Sequence, residues 1–244
     1  MSLQKLGIGT IWMGRHWPMD NKNYTLPTKT KVNDYLEQAA QNGVRHFDTA
    51  TAYGLAEARL GDFLRDHPEI LQDPATIITT KCGEQWSPEN GSTIDNTLEG
   101  LTASFKNSQQ LLPRIDVLYF HKPTLELLTD PKIRAQFEAW QNQGLIKQVG
   151  VSVSKADLLN TLWTANALWP KYLQVASWIV FQHAVLLEAI ASTGKVIVVN
   201  APARSRPEGM SIAEAYQTLA SKPFVSTVLT GSRHHLTETL GYFL

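Results

Sequence analysis

A chain of 244 residues, 43% of them hydrophobic, carries enough apolar side chain for one large α/β domain or two small ones. Its 22 Lys and Arg balance 22 Asp and Glu, so no overall field draws it to nucleic acid or to an anionic membrane, and any phosphate must be held by a local cluster. The lone cysteine, Cys82, excludes an intrachain disulfide, "MSLQKLGIGT" has no long apolar leader, and no run approaches the roughly 18 apolar residues of a membrane helix; the expectation is a soluble, cytoplasmic protein.

In chain order, a short strand is expected near "LGIGT" (6–10), then a helix over 30–42 and a strand in "VRHFDTA" (44–50). A helix over 55–66 leads to "TIITTKC" (76–82), and a helix over 92–110 leads to "IDVLYFHK" (115–122). In "TDPKIRAQFEAWQNQG", Asp130 offers an N-cap, Pro131 the first helical position and Gly144 the stop, with Ile133, Phe137 and Trp140 at helical spacing. The strand "IKQVGVS" (146–152) follows, then "SKADLL", which reads as a capping box between Ser154 and Asp157. The run "YLQVASWIV" (172–180) reads as a strand, 184–193 as a helix and "KVIVVNA" (195–201) as a strand. The loop "PARSRPEG" (202–209) precedes a second capping box, Ser211 with Glu214, and "VSTVLTG" (225–231) and a helix over 235–242 close the series.

Near-continuous Val, Ile and Leu marks strands buried on both faces, as in a parallel sheet. Eight strands alternating with eight helical segments at this length predict a (β/α)8 TIM barrel, one α/β domain over residues 1–244; a doubly wound open sheet is the structural rival. No composition shift or linker divides the chain.

A barrel of this kind places its chemistry at the C-terminal ends of the strands. Those ends are Asp48, Lys81, His121, Ser152, Gln174, Asn200 and Ser232, with Tyr53 just beyond the first. The first three of these groups suit a phenol. An ammonium at Lys81 favours the phenolate and would lower a pKa that is ordinarily ~10. A carboxylate at Asp48 would keep that ammonium charged, and His121 could orient a carbonyl oxygen toward Tyr53. The set can protonate a carbonyl oxygen as charge develops on it.

"FDTATAYGLAEARLG" closely resembles the aldo-keto reductase signature: Asp-Thr-Ala, Tyr-Gly, Glu, Leu-Gly. The lysine of "TTKC" and the histidine of "LYFHKP" fall where that family has its further catalytic residues. The resemblance runs from "LGIGT" through "LIKQVGVS" to "VLTGSR". It implies Asp48, Tyr53, Lys81 and His121 as a catalytic tetrad with Tyr53 as general acid. It also implies a nicotinamide cofactor, NADPH rather than NADH, bound across the barrel mouth for reduction of an aldehyde or ketone.

"GIGTIWMG" lacks the spacing and the acidic partner of a dinucleotide fingerprint. Barrels often bind phosphate on the loops after the last two strands. Here those loops carry Arg204 and Arg206, then Ser232, Arg233, His234 and His235. Three positions depart from the family pattern. Val153 stands where an asparagine would hold the nicotinamide carboxamide, leaving Ser152 and Gln174 as partners; Asn200 stands where an aromatic often stacks; and the chain ends at Leu244 with little left for a loop over the pocket, so an open pocket is expected. Trp12, Trp86 and Trp178 are candidates to line an apolar pocket, His46 and Cys82 are expected to pack as core residues, and no motif supports a metal. Two other readings stay open: a nucleotide-binding barrel with a regulatory or weak catalytic role, and a lyase using Lys81 as a Schiff-base nucleophile.

Overall fold

The computed structural model describes residues 3–16, 24–233 and 235–243; His234, grouped above with the phosphate cluster, lies outside them. Eight parallel strands close into a barrel: β1 (Leu6–Gly9), β2 (His46–Asp48), β3 (Ile77–Cys82), β4 (Val117–Phe120), β5 (Gln148–Val153), β6 (Tyr172–Ala176), β7 (Val196–Asn200) and β8 (Val225–Thr230). Each pairs with its chain neighbours, and β1 closes the ring against β8 with Leu6 opposite Val228 and Ile8 opposite Thr230. The helices surround the barrel, so the strands are covered on both sides. Phe120 of β4, for example, stacks on Phe137 of the helix Pro131–Asn142 at 4.2 Å. Among the described residues no helix is long and apolar enough to cross a membrane.

Several end signals act as the sequence predicts. Asp130 accepts from the Lys132 amide at 2.8 Å with Pro131 at the first helical position. Ser211 and Glu214 form a reciprocal capping box. The Ser154–Asp157 box does not form: the helix Ala156–Thr164 starts from Lys155 without a side-chain cap.

Two expected elements change. The strand expected over 172–180 stops at Ala176, and Ser177–Gln182 is helical. Ile179 and Val180 are buried there, and an apolar run buried in either form carries no period to separate the two. The helix expected from 92 begins at Leu98, capped by Thr97, whose hydroxyl accepts from the Gly100 amide at 3.1 Å. Ahead of it, Glu84–Ser87 pairs antiparallel with Gly91–Ile94, a ribbon over the mouth of the barrel. The Asn90-Gly91 pair signals that hairpin: Gly91 has φ +66, which glycine adopts without steric cost.

The turn after β2 is set by glycine. Gly54 has φ +60, and a Cβ on it would stand 2.4 Å from the Gly14 carbonyl oxygen. This contact lets the loop after β1 lie directly on the 3-10 turn Thr51–Tyr53, with the Leu55 amide donating to Gly14 O at 3.1 Å. Gly61 meets the end of the helix Leu98–Leu111 more closely still, and a Cβ on it would stand 1.9 Å from the Leu111 carbonyl oxygen.

Candidate active site

The strand ends surround a cavity of about 300 Å³. Asp48, Tyr53, His121, Ser152, Gln174 and Asn200 all line it, so six of the sequence-predicted site residues meet at one place. Lys81 lies beneath, fully buried. Its ammonium donates to Asp48 Oδ2 at 2.5 Å and to the Thr49 carbonyl at 2.9 Å, and stands 4.9 Å from the centre of the Tyr53 ring. Burial alone would lower the Lys81 pKa, but the Asp48 carboxylate and Tyr53 outweigh it and hold it above its ordinary value.

Asp48 is the hub. Its Oδ1 accepts from Thr79 Oγ1 at 2.8 Å and from Gln174 Nε2 at 2.9 Å. Gln174 Oε1 in turn accepts from Ser152 Oγ and Asn200 Nδ2, each at 3.2 Å. Strands β2, β3, β5, β6 and β7 are thus linked by one polar network, which holds the carboxylate in a single orientation toward Lys81.

The Tyr53 pKa departs from the sequence-based expectation. It is raised above 10, because burial disfavours the phenolate more than Lys81 favours it, and Asp48 and Glu84 oppose ionisation further. The ammonium is visible in the sequence and the depth of the ring is not. Tyr53 is therefore a phenol at neutral pH, with a cation placed to stabilise the phenolate it leaves behind.

His121 packs edge-on against the Tyr53 ring at 5.7 Å. Its Nδ1 lies 3.0 Å from Glu84 Oε2 without the alignment of a hydrogen bond. Burial and the cations Lys81, Lys122 and Arg15 drive its pKa well below 6.5, so the imidazole is neutral at pH 7.

Arg204, Ser232 and Arg233 are not among the residues lining the cavity. Arg204 is exposed on the loop after β7. Arg206, beside it, donates to the carbonyls of Ala203 and Met210 and so closes its own loop. Arg233 donates to the Thr25 carbonyl at 3.1 Å and lies 5.1 Å over the Tyr24 ring, while the Ser232 carbonyl accepts from Tyr35 at 2.8 Å. Val153 is buried. Trp12 packs into the core against Tyr35, and neither Trp86 nor Trp178 lines the cavity, so none of the three candidate tryptophans forms its wall.

A family model described as the Aldo/keto reductase family matches residues 5–205, from β1 through β7, including Asp48, Tyr53, Lys81 and His121. The chain belongs to the aldo/keto reductase family. Over 150 residues it is 32% identical to a D-threo-aldose 1-dehydrogenase from a Pseudomonas species, a match covering 51% of this chain and 44% of that one. Over 193 residues it is 27% identical to an NAD(P)H-dependent 6'-deoxychalcone synthase from Glycine max, covering 72% and 59%. The matched region is thus less than two thirds of either relative. Among solved structures, a Pseudomonas aeruginosa chain assigned to the aldo-keto reductases superposes with a TM-score of 0.78 at 24% identity, covering 98% of this chain and 88% of that one. An aldo-keto reductase from Bacillus halodurans, in its holo form, superposes at 0.74 with 18% identity, covering 98% and 86%.

The chain also brings Arg15, Glu84 and Lys122 to the cavity, none of which the sequence singled out. Lys122 follows His121 and could have been noticed as its neighbour. Glu84 needed the hairpin to be recognised. Arg15 follows the short helix Ile11–Gly14, for which a four-residue segment offers no periodic signal.

Proposed function

We propose that this chain reduces an aldehyde or ketone to an alcohol with a nicotinamide cofactor, Tyr53 donating the proton. The observation that carries the proposal is the Tyr53 phenol, open to the cavity and backed by the buried Lys81–Asp48 pair. The polar wall of Ser152, Gln174 and Asn200 opposite it suits a carboxamide, which needs both donors and acceptors. These residues would hold the nicotinamide end. Arg204, Ser232 and Arg233, on the loops after β7 and β8, would hold phosphate, and an arginine fork there favours NADPH over NADH. Reduced nicotinamide, when bound, supplies a hydride to the carbonyl carbon.

The residues of the chain do the rest. His121, neutral and next after the last residue of β4, orients the carbonyl oxygen toward Tyr53. Tyr53 passes its hydroxyl proton to that oxygen as negative charge builds on it. Lys81 stabilises the resulting phenolate at close range in a medium of low polarity, and Asp48 keeps Lys81 charged and stationary. The Schiff-base reading fares poorly, because a nucleophilic lysine must be neutral and Lys81 is held as the ammonium.

Replacing Tyr53 with Phe removes the proton and leaves the ring. Carbonyl reduction, followed by nicotinamide absorbance, is expected to fall by at least about a hundredfold, while fluorescence titration shows the cofactor still bound. Undiminished turnover would reject the assignment. A chain that binds nucleotide but turns over no member of an aldehyde, ketone and quinone panel would favour the regulatory reading.

A further inference from the structure

The part of the cavity beside Tyr53 and His121 carries charges that proton delivery does not use. Glu84, the first residue of the ribbon, is 7% exposed, and its Oε2 lies 3.0 Å from His121 Nδ1 and 3.5 Å from Lys122 Nζ. Its carbonyl accepts from Thr51 Oγ1 at 2.9 Å, which ties the ribbon to the turn bearing Tyr53. Arg15, also buried, donates to the Ala52 carbonyl at 2.7 Å and rests 5.3 Å over the Trp86 ring. Backbone and ring contacts therefore hold both Glu84 and Arg15 in place. All three charged groups line the same cavity as Tyr53, with Ile11 next to them.

We propose that Arg15, Glu84 and Lys122 select the substrate, favouring a carbonyl compound with a hydroxyl close to the carbonyl carbon over an apolar or a carboxylate-bearing one. The proposal rests on carbonyl reduction at Tyr53 being the chemistry of this chain. A hydroxyl both donates and accepts, so one group can donate to Glu84 while accepting from Arg15 or Lys122. An apolar substrate would strip water from three ionic groups and return no hydrogen bond. A carboxylate would face Glu84 across a poorly polar gap, or would have to separate it from Lys122 and leave a buried charge unpaired. Glu84 decides the preference, because it is the acceptor among the three.

The test compares kcat/KM of the full chain for glycolaldehyde, propanal and glyoxylate, each counted as free aldehyde, in the unaltered protein and in two variants. The unaltered protein is expected to prefer glycolaldehyde. In Glu84→Gln, glycolaldehyde is expected to lose on the order of tenfold relative to propanal, the worth of a hydrogen bond to a charged acceptor, and glyoxylate to gain relative to propanal. In Lys122→Gln, at a half-exposed side chain, glyoxylate is expected to lose ground instead. Equal changes for all three aldehydes in both variants would overturn the proposal, since that is what a purely structural Glu84 produces. Failure of the unaltered protein to reduce any of the three, with cofactor bound, would instead overturn the chemistry assigned to Tyr53.

Discussion

Lys81 is fully buried, and its charge is tolerated because its ammonium donates hydrogen bonds to Asp48 and to the Thr49 carbonyl. Taking one partner away is worse than never having had the pair. Lys81→Met leaves the Asp48 carboxylate buried against only Thr79 and Gln174, and is expected to cost roughly 3–5 kcal/mol of stability, read by urea denaturation, as well as carbonyl reduction. A stable Lys81→Met protein that retained activity would mean that neither charge matters where it lies. Asp48, Lys81 and His121 were each legible in the sequence as strand ends, and Tyr53 as lying just beyond the first. Their depth was not: it puts Tyr53 above its ordinary pKa rather than below it.

At the scale of elements, Glu57 shows how the helix Ala56–Asp66 is fastened. From the sequence it is a first-turn carboxylate suited to the helix dipole. In the fold it is buried, and its Oε1 accepts from Thr80 of β3 at 2.6 Å and from Ser108 of the helix Leu98–Leu111 at 2.7 Å. One side chain joins a strand and two helices, beside the turn that carries Tyr53. Glu57→Ala strands the buried Thr80 hydroxyl and leaves Ser108 only its bond to the Ser104 carbonyl, and is expected to lose about 1–3 kcal/mol in thermal or urea unfolding. Glu57→Gln, which keeps an accepting oxygen, should lose less; equal losses would show that shape rather than the acceptor holds the helix. The ribbon Glu84–Ser87 with Gly91–Ile94 brings Glu84 to His121.

Across the whole molecule, buried histidine couples stability to pH. His46 of β2 faces Thr227 of β8, with Nδ1 3.2 Å from Oγ1, and packs as a core residue. Burial pushes its pKa down from 6.5 to about 4, more than the Asp48 and Asp116 carboxylates can restore. An unfolded chain takes up that proton near pH 6.5 and the folded one only near 4. The unfolded state therefore binds more protons between those values, and stability, complete above 6.5, falls as pH drops toward 4 by something of order 3 kcal/mol. His121, lowered in the same direction, adds to the slope. Unfolding free energies measured from pH 7 to 4.5 should fall less steeply in His46→Gln than in the unaltered protein; parallel slopes would remove His46 from the account.

What the sequence determined by itself is the order of elements and the identity of the residues at the strand ends, because periodicity, caps and turn residues act between near neighbours along the chain. The barrel follows from that order, and Asp48, Tyr53, Lys81 and His121 from the barrel. Only the tertiary structure decided what surrounds them. Gln174 reaches Asp48 across 126 positions, Glu84 reaches His121 across a hairpin, and Arg15 reaches the turn of Tyr53 across a crossing of two loops. Contacts of that kind depend on where separate elements come to rest and how deeply they bury a charge, and no local spacing encodes either. The tertiary structure likewise decided that Arg15, Glu84 and Lys122, and none of the candidate tryptophans, line the cavity with Tyr53.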